Sequence, residues 1–137
     1  MDETTRKNAM SAWTPEGPRL AIVLNRDLMF GSRIRNALRV LALEARFVPD
    51  TGRFVAALAA DPEQTAIGIV DMNGPVAWDT LKDALAGTAN APPTLAFGPH
   101  VDAESRRAAK AAGVSRIVSN GQFHRETVPL IDRYRRR

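Results

Sequence analysis

The stretch that decides the fold is Ala66-Ile67-Gly68-Ile69-Val70-Asp71. Five residues without a polar side chain, closed by a carboxylate, are too short for a helix and too continuous for a sheet with one wet face. They predict a strand covered on both sides, as in a parallel sheet. The same pattern recurs outward from it. Before it come Leu20-Ala21-Ile22-Val23-Leu24 and a shorter, more polar run, Ala45-Arg46-Phe47-Val48, suited to a sheet edge. After it come Pro93-Thr94-Leu95-Ala96-Phe97 and Arg116-Ile117-Val118.

Helical spacing fills the gaps between these runs. Asp27 is placed to cap a helix in which Phe30, Ile34, Ala37, Leu38 and Leu41 share a face, with Arg35, Asn36 and Arg39 largely opposite. Residues 52–60 read as a short helix stopped by Asp61-Pro62, and residues 76–86 as another after the turn Asn73-Gly74-Pro75. Asp102 caps a helix reaching about Ala112, with Glu104 early, Lys110 late and Gly113 as its stop. A last helix is expected from about Glu126 to the end, with Leu130, Ile131 and Tyr134 inward. Five strands, each followed by a helix, predict an α/β fold: a three-layer, doubly wound, five-stranded parallel sheet. Ligands of such sheets sit outside the carboxyl ends of the strands, here Leu24-Asn25, Asp71, Gly98 and Ser119-Asn120.

The chain has 137 residues, room for one domain: a tail over residues 1–18 and a single domain over residues 19–137. Trp13 is the tail's one large apolar group, read as an anchor packing back onto the domain or as an exposed docking handle. With no cysteine, a disulfide scaffold, a cysteine-based zinc or iron–sulfur site and a thiol nucleophile are excluded, and a cytoplasmic location is expected. No stretch approaches the roughly 20 apolar residues of a membrane span.

Chemistry at the strand ends is sparse. No G-x-G-x-x-G follows the first strand, and Asn25-Arg26-Asp27 holds neither the glycines nor the lysine of a phosphate loop. Ser119 follows a strand but lacks the G-x-S-x-G elbow of a nucleophilic serine. His100, Asp71 and Asp102 share one edge and could be imagined as a metal or acid–base site, but Asp102 is already accounted for as a cap. His124 is assigned no role.

The run from Arg19 to Tyr134 resembles the receiver domain of bacterial response regulators, a flavodoxin-like fold. The resemblance is carried by the strand–helix layout and by three motifs: Ile69-Val70-Asp71-Met72-Asn73 with Pro75 beyond, Pro93-Thr94-Leu95-Ala96-Phe97, and Ala111-Ala112-Gly113-Val114. It implies that Asp71 stands where the family accepts a phosphoryl group. It also implies two acidic residues after the first strand to hold Mg²⁺, a Thr or Ser after the fourth and a Lys after the fifth. This chain has Leu24 and Asn25, Gly98, and Asn120 followed by Gly121. Asn25 and Asp71 alone make a poor magnesium cage, and an asparagine amide donates a hydrogen bond without neutralising a phosphoryl charge. The resemblance thus points to a degenerate receiver, a pseudo-receiver with no catalytic residues and no cofactor, Mg²⁺ entering only if Asp71 is phosphorylated.

Three functions stay open. The first is signalling or regulation by docking to a protein partner, or as a homodimer, through the face that the resemblance assigns to output: Arg106, Arg107, Lys110, Arg125 and Arg133. The second is a single-domain receiver phosphorylated at Asp71. The third is nucleic-acid association through Arg133-Tyr134-Arg135-Arg136-Arg137. The formal charge is +4, and the last five residues hold four arginines and no acid, so the rest of the chain is balanced. The basic character is read as a short C-terminal tag.

Overall fold

The computed structural model describes residues 17–137; Trp13 and the other expected tail residues before Gly17 lie outside them. The elements are β1 (Leu20–Leu24), α1 (Leu28–Val40), β2 (Glu44–Val48), α2 (Thr51–Ala60), β3 (Thr65–Asp71), α3 (Trp78–Gly87), β4 (Thr94–Gly98), α4 (Ala103–Ala112), β5 (Arg116–Ser119), α5 (Asn120–Arg125) and α6 (Thr127–Tyr134). The strands form one parallel sheet in the order β2-β1-β3-β4-β5. The α/β doubly wound sheet expected from the sequence is therefore present, with the polar β2 at an edge.

β3 is central, and all seven of its residues are buried. Because successive strand residues point to opposite faces, each strand feeds two cores. Ala21, Val23, Ile67, Ile69, Leu95 and Phe97 pack with Ile34 and Leu38 of α1, Phe123 of α5 and Ile131 of α6. Leu20, Ile22, Leu24, Val70 and Ala96 pack on the other side with Phe54 of α2, Leu81 of α3 and Ala109 of α4.

Local chemistry sets the helix ends. Asp27, Asp50, Asp102 and Ser119 each accept a backbone N–H of the first turn they cap, and Gly113 closes α4 in the left-handed region at φ 97°. One boundary and one element differ from expectation. α3 starts at Trp78 rather than Val76, after a cap without a side-chain bond. The last helix stands where it was expected, as α6, but it is preceded by a helix that was not: α5 follows β5 directly, and Glu126 separates it from α6.

The C-terminus is a built part of the domain, which corrects its reading as a tag. The Arg136 backbone N–H donates to Ala66 O at 2.9 Å, its Nε to Thr65 O at 3.0 Å and its Nη1 to Asn90 O at 2.8 Å. Arg135 and Arg137 both pair with Asp132, at 3.0 and 3.2 Å. Among the described residues, no helix is long and apolar enough to cross a membrane.

Candidate functional site

The carboxyl ends of β1 and β3 open into a cleft of about 340 Å³ lined by Leu24, Asn25, Arg26, Asp27, Asp71 and the Asn73-Gly74-Pro75 turn. Asp71, the last residue of β3, is only 6% exposed. A buried carboxylate needs hydrogen-bond donors or a cation, and here neutral amides supply them. Asn25 Nδ2 donates to Oδ2 at 2.8 Å, while the Asn73 backbone N–H and Nδ2 donate to Oδ1 at 2.8 and 2.7 Å. The backbone bond from two residues ahead is an Asx turn, which fixes the start of the β3–α3 loop.

The network reaches β5 through Asn73. Its Nδ2 also donates to Asn120 Oδ1 at 2.9 Å, and Asn120 Nδ2 donates back to Asn73 Oδ1 at 2.8 Å. Asn25, Asp71, Asn73 and Asn120 thus form one chain of side chains across three strand ends. The sequence reading named three of them and took Asn73 only as a turn residue; the Asp-x-Asn spacing of an Asx turn was the available signal.

The remaining predicted positions are filled for packing. Leu24, where the resemblance implies an acid, is buried beneath the cleft against the α2–α3 side of the core. At Gly98 a Cβ would lie 2.9 Å from Met72 Cβ and 3.0 Å from Met72 Cε, so the buried Met72 occupies the space that a threonine or serine would need. At Gly31, in the first turn of α1, a Cβ would lie 2.8 Å from Asn25 Oδ1. The missing side chain leaves room for the Asn25 amide to lie against α1 while it donates to Asp71.

The donor set does not fit a magnesium ion. Magnesium demands near-octahedral oxygen ligation, usually with carboxylates. The carboxylate present already accepts three bonds, and its nearest neighbours turn N–H groups toward it. Among the described residues, no group of three or more His, Cys, Asp or Glu side chains is placed to hold a metal ion. The nearest lining cation, Arg26, donates its Nε to Pro49 O.

His100 is exposed in the β4–α4 loop, and Asp102 accepts the Ser105 backbone N–H at 3.0 Å. Hydrogen bonding from Ser105 holds the Asp102 carboxyl below its ordinary value. Ser119 is likewise engaged as a cap, accepting the Gln122 N–H. His124 takes a role that the sequence did not suggest. Arg33 donates to its carbonyl at 3.1 Å and lies 3.2 Å from its Nε2, which must accept because guanidinium only donates, and this ties α1 to α5. Of the basic face, Arg107 and Lys110 are exposed and Arg106 half-buried on α4, while Arg125 and Arg133 are exposed on α5 and α6. These helices pack on opposite sides of the sheet and flank β5.

No protein-family model and no curated protein matches the chain. Solved structures do match, and the similar ones are response-regulator receiver domains. A signal receiver domain from Bermanella marisrubri superposes with a TM-score of 0.69 at 16% identity, over 85% of this chain and 98% of that one. A response regulator receiver protein from Burkholderia phymatum does so with a TM-score of 0.60 at 26% identity, over 84% and 95%. The receiver domain of a sensor histidine kinase from Pseudomonas aeruginosa, which coordinates magnesium in its active-site cleft, does so with a TM-score of 0.68 at 16% identity, over 85% and 97%. The chain has the fold of response-regulator receiver domains.

Proposed function

We propose that this protein is a receiver-like signalling module that works by docking to a protein partner without phosphorylation of Asp71. The fold supports a signalling role of the response-regulator kind. The observation that carries the finer reading is the occupancy of the Asp71 carboxylate: both oxygens already accept amide N–H groups, and among the described residues no Lys or Arg forms an ion pair with it. Phosphoryl transfer is mostly positioning and neutralisation of charge. A carboxylate must be free to attack, and the developing charge needs a metal ion or a lysine; Asn25 and Asn120 offer only neutral amides at those places. Signalling then rests on surfaces, and the exposed Arg107, Lys110, Arg125 and Arg133 beside β5 are the candidate contact groups for a protein partner or a second copy.

Beryllofluoride with magnesium, followed by intact-mass and fluorine NMR measurements, tests this. We expect no stoichiometric adduct and no phosphoprotein with acetyl phosphate. An adduct that disappears in Asp71→Asn overturns the reading in favour of a phosphorylated single-domain receiver. Nucleic-acid association gains no support from the structure, because Arg135, Arg136 and Arg137 are engaged within the fold.

A further inference from the structure

The chain contains two Asn-Gly dipeptides, Asn73-Gly74 and Asn120-Gly121, and the fold brings their asparagines into reciprocal contact beside the cleft. We propose that Asn73 is a self-deamidation site and that its conversion releases the latch around Asp71. The inference stands on the latch geometry and is independent of whether Asp71 is ever phosphorylated.

Asparagine followed by glycine is chemically labile because the next backbone nitrogen, with no Cβ beside it, reaches the side-chain carbonyl carbon unhindered. The deprotonated Gly74 nitrogen attacks Asn73 Cγ. The N–Cγ bond forms, the Cγ–Nδ2 bond breaks, and the amide nitrogen leaves with a proton as ammonia. The resulting five-membered succinimide is opened by water at either carbonyl, giving aspartate or isoaspartate at position 73. Water is the only co-reactant, and no electrons are exchanged.

The fold separates the two dipeptides. Asn73 is exposed in the turn that follows β3, and the space beside Gly74 is open, with nothing within 4 Å of where a Cβ would stand. Asn120 opens α5 directly behind the Ser119 cap, so the Gly121 nitrogen is held in a helical turn, where backbone geometry keeps it from the preceding side chain. Asn73 therefore reacts first in the folded protein. The latch also acts as a brake, because its bonds hold the Asn73 amide toward Asp71 and Asn120.

Conversion reverses the polarity of the latch. Nδ2, which donates to Asp71 Oδ1 at 2.7 Å and to Asn120 Oδ1 at 2.9 Å, is lost as ammonia in either product; in aspartate a carboxylate oxygen takes its place, and in isoaspartate the free carboxylate is the former main-chain carbonyl of residue 73. Asn120 can turn its own amide to donate; Asp71 cannot. Two carboxylates at such a distance do not both stay ionised without a proton or a cation between them. The β3–α3 turn then swings away from Asp71, or the new acidic pair takes up a cation. Either way, an amide-closed cleft becomes an acidic one.

The test is peptide mapping by mass spectrometry of the full chain, aged in warm, mildly alkaline buffer, with isoaspartyl methyltransferase labelling as a second readout. We expect the gain of one dalton and the isoaspartate to accumulate at Asn73 ahead of Asn120, and at similar rates for both in urea-unfolded chain. Gly74→Ala, whose Cβ enters open space, slows the reaction several-fold, and Asn120→Ala, which removes the Asn120 part of the brake, speeds it. Asn73→Asp lowers the melting temperature at neutral pH and makes it respond to added magnesium. Asn73 lagging behind Asn120 in folded protein, a rate indifferent to Gly74→Ala, or wild-type melting of Asn73→Asp would each overturn the proposal.

Discussion

A side chain at position 98 would begin 2.9 Å from Met72 Cβ, closer than real side chains approach, and Met72 is itself buried at 5% exposure. The glycine is therefore half of a packing pair, and restoring a hydroxyl-bearing residue there requires moving its partner. Gly98→Ala is expected to cost about 1–3 kcal/mol, the usual range for overpacking a core position, as read by urea unfolding. In a double-mutant cycle with Met72→Gly the two losses should fall short of additive, since that substitution removes both the Cβ and the Cε that a side chain at position 98 would meet. Full additivity would mean that Met72 does not fill the space. A similar complementarity holds Asn25 between Gly31 and Asp71. Gly31→Ala is expected to displace the Asn25 amide, observable as a chemical-shift change of its side-chain NH₂ resonances with the rest of the sheet unchanged.

At the scale of elements, the helix caps carry a pH dependence that can be signed. Hydrogen bonds from Ser105 lower the Asp102 pKa in the folded state below the ordinary carboxylate value. A depressed folded value means that the ionised form favours the fold, so its contribution is present at neutral pH and is lost as the pH falls through the folded value. The melting temperature of Asp102→Ala should therefore lie below wild type at neutral pH, with the gap closing under strongly acidic conditions; a gap independent of pH would assign the effect to something other than the carboxylate. Such caps were legible in the sequence because one residue and its next three carry the whole interaction: Asp27, Asp102 and Gly113 all sit where that chemistry put them. α5 was not legible. Six residues span less than two turns, too few for a hydrophobic period, and its one buried side chain, Phe123, is explained by tertiary neighbours: the ring of Phe97 stacked 4.0 Å away on β4 and that of Phe30 at 6.3 Å on α1. The Asn73–Asn120 pair escaped for a related reason, since 47 residues of chain separate the two amides and only the closed sheet brings them together.

For the whole molecule, the excess positive charge serves closure of the fold. β3 begins three residues before its pairing with β4 begins at Gly68 and Thr94, so the carbonyls of Thr65 and Ala66 extend past that partner. The C-terminal residues occupy this gap: Arg136 meets both carbonyls with its backbone N–H and Nε and spans to Asn90 with Nη1, while its buried Nη2 has no partner. The side chain reaches Thr65 O and Asn90 O from two different nitrogens of one rigid guanidinium, a spacing that the single nitrogen of an ammonium does not reproduce. Deleting residues 133–137 to test for nucleic-acid binding would thus remove a fastener together with the charge, and loss of binding in that truncation would be uninterpretable. Point substitution separates the two. Arg136→Ala leaves the carbonyls of Thr65 and Asn90 without these donors and is expected to cost about 1–3 kcal/mol, with Arg136→Lys intermediate although it keeps the charge. Equal stability of Arg136→Lys and wild type in urea unfolding would show that charge alone matters at this position and would contradict the clasp.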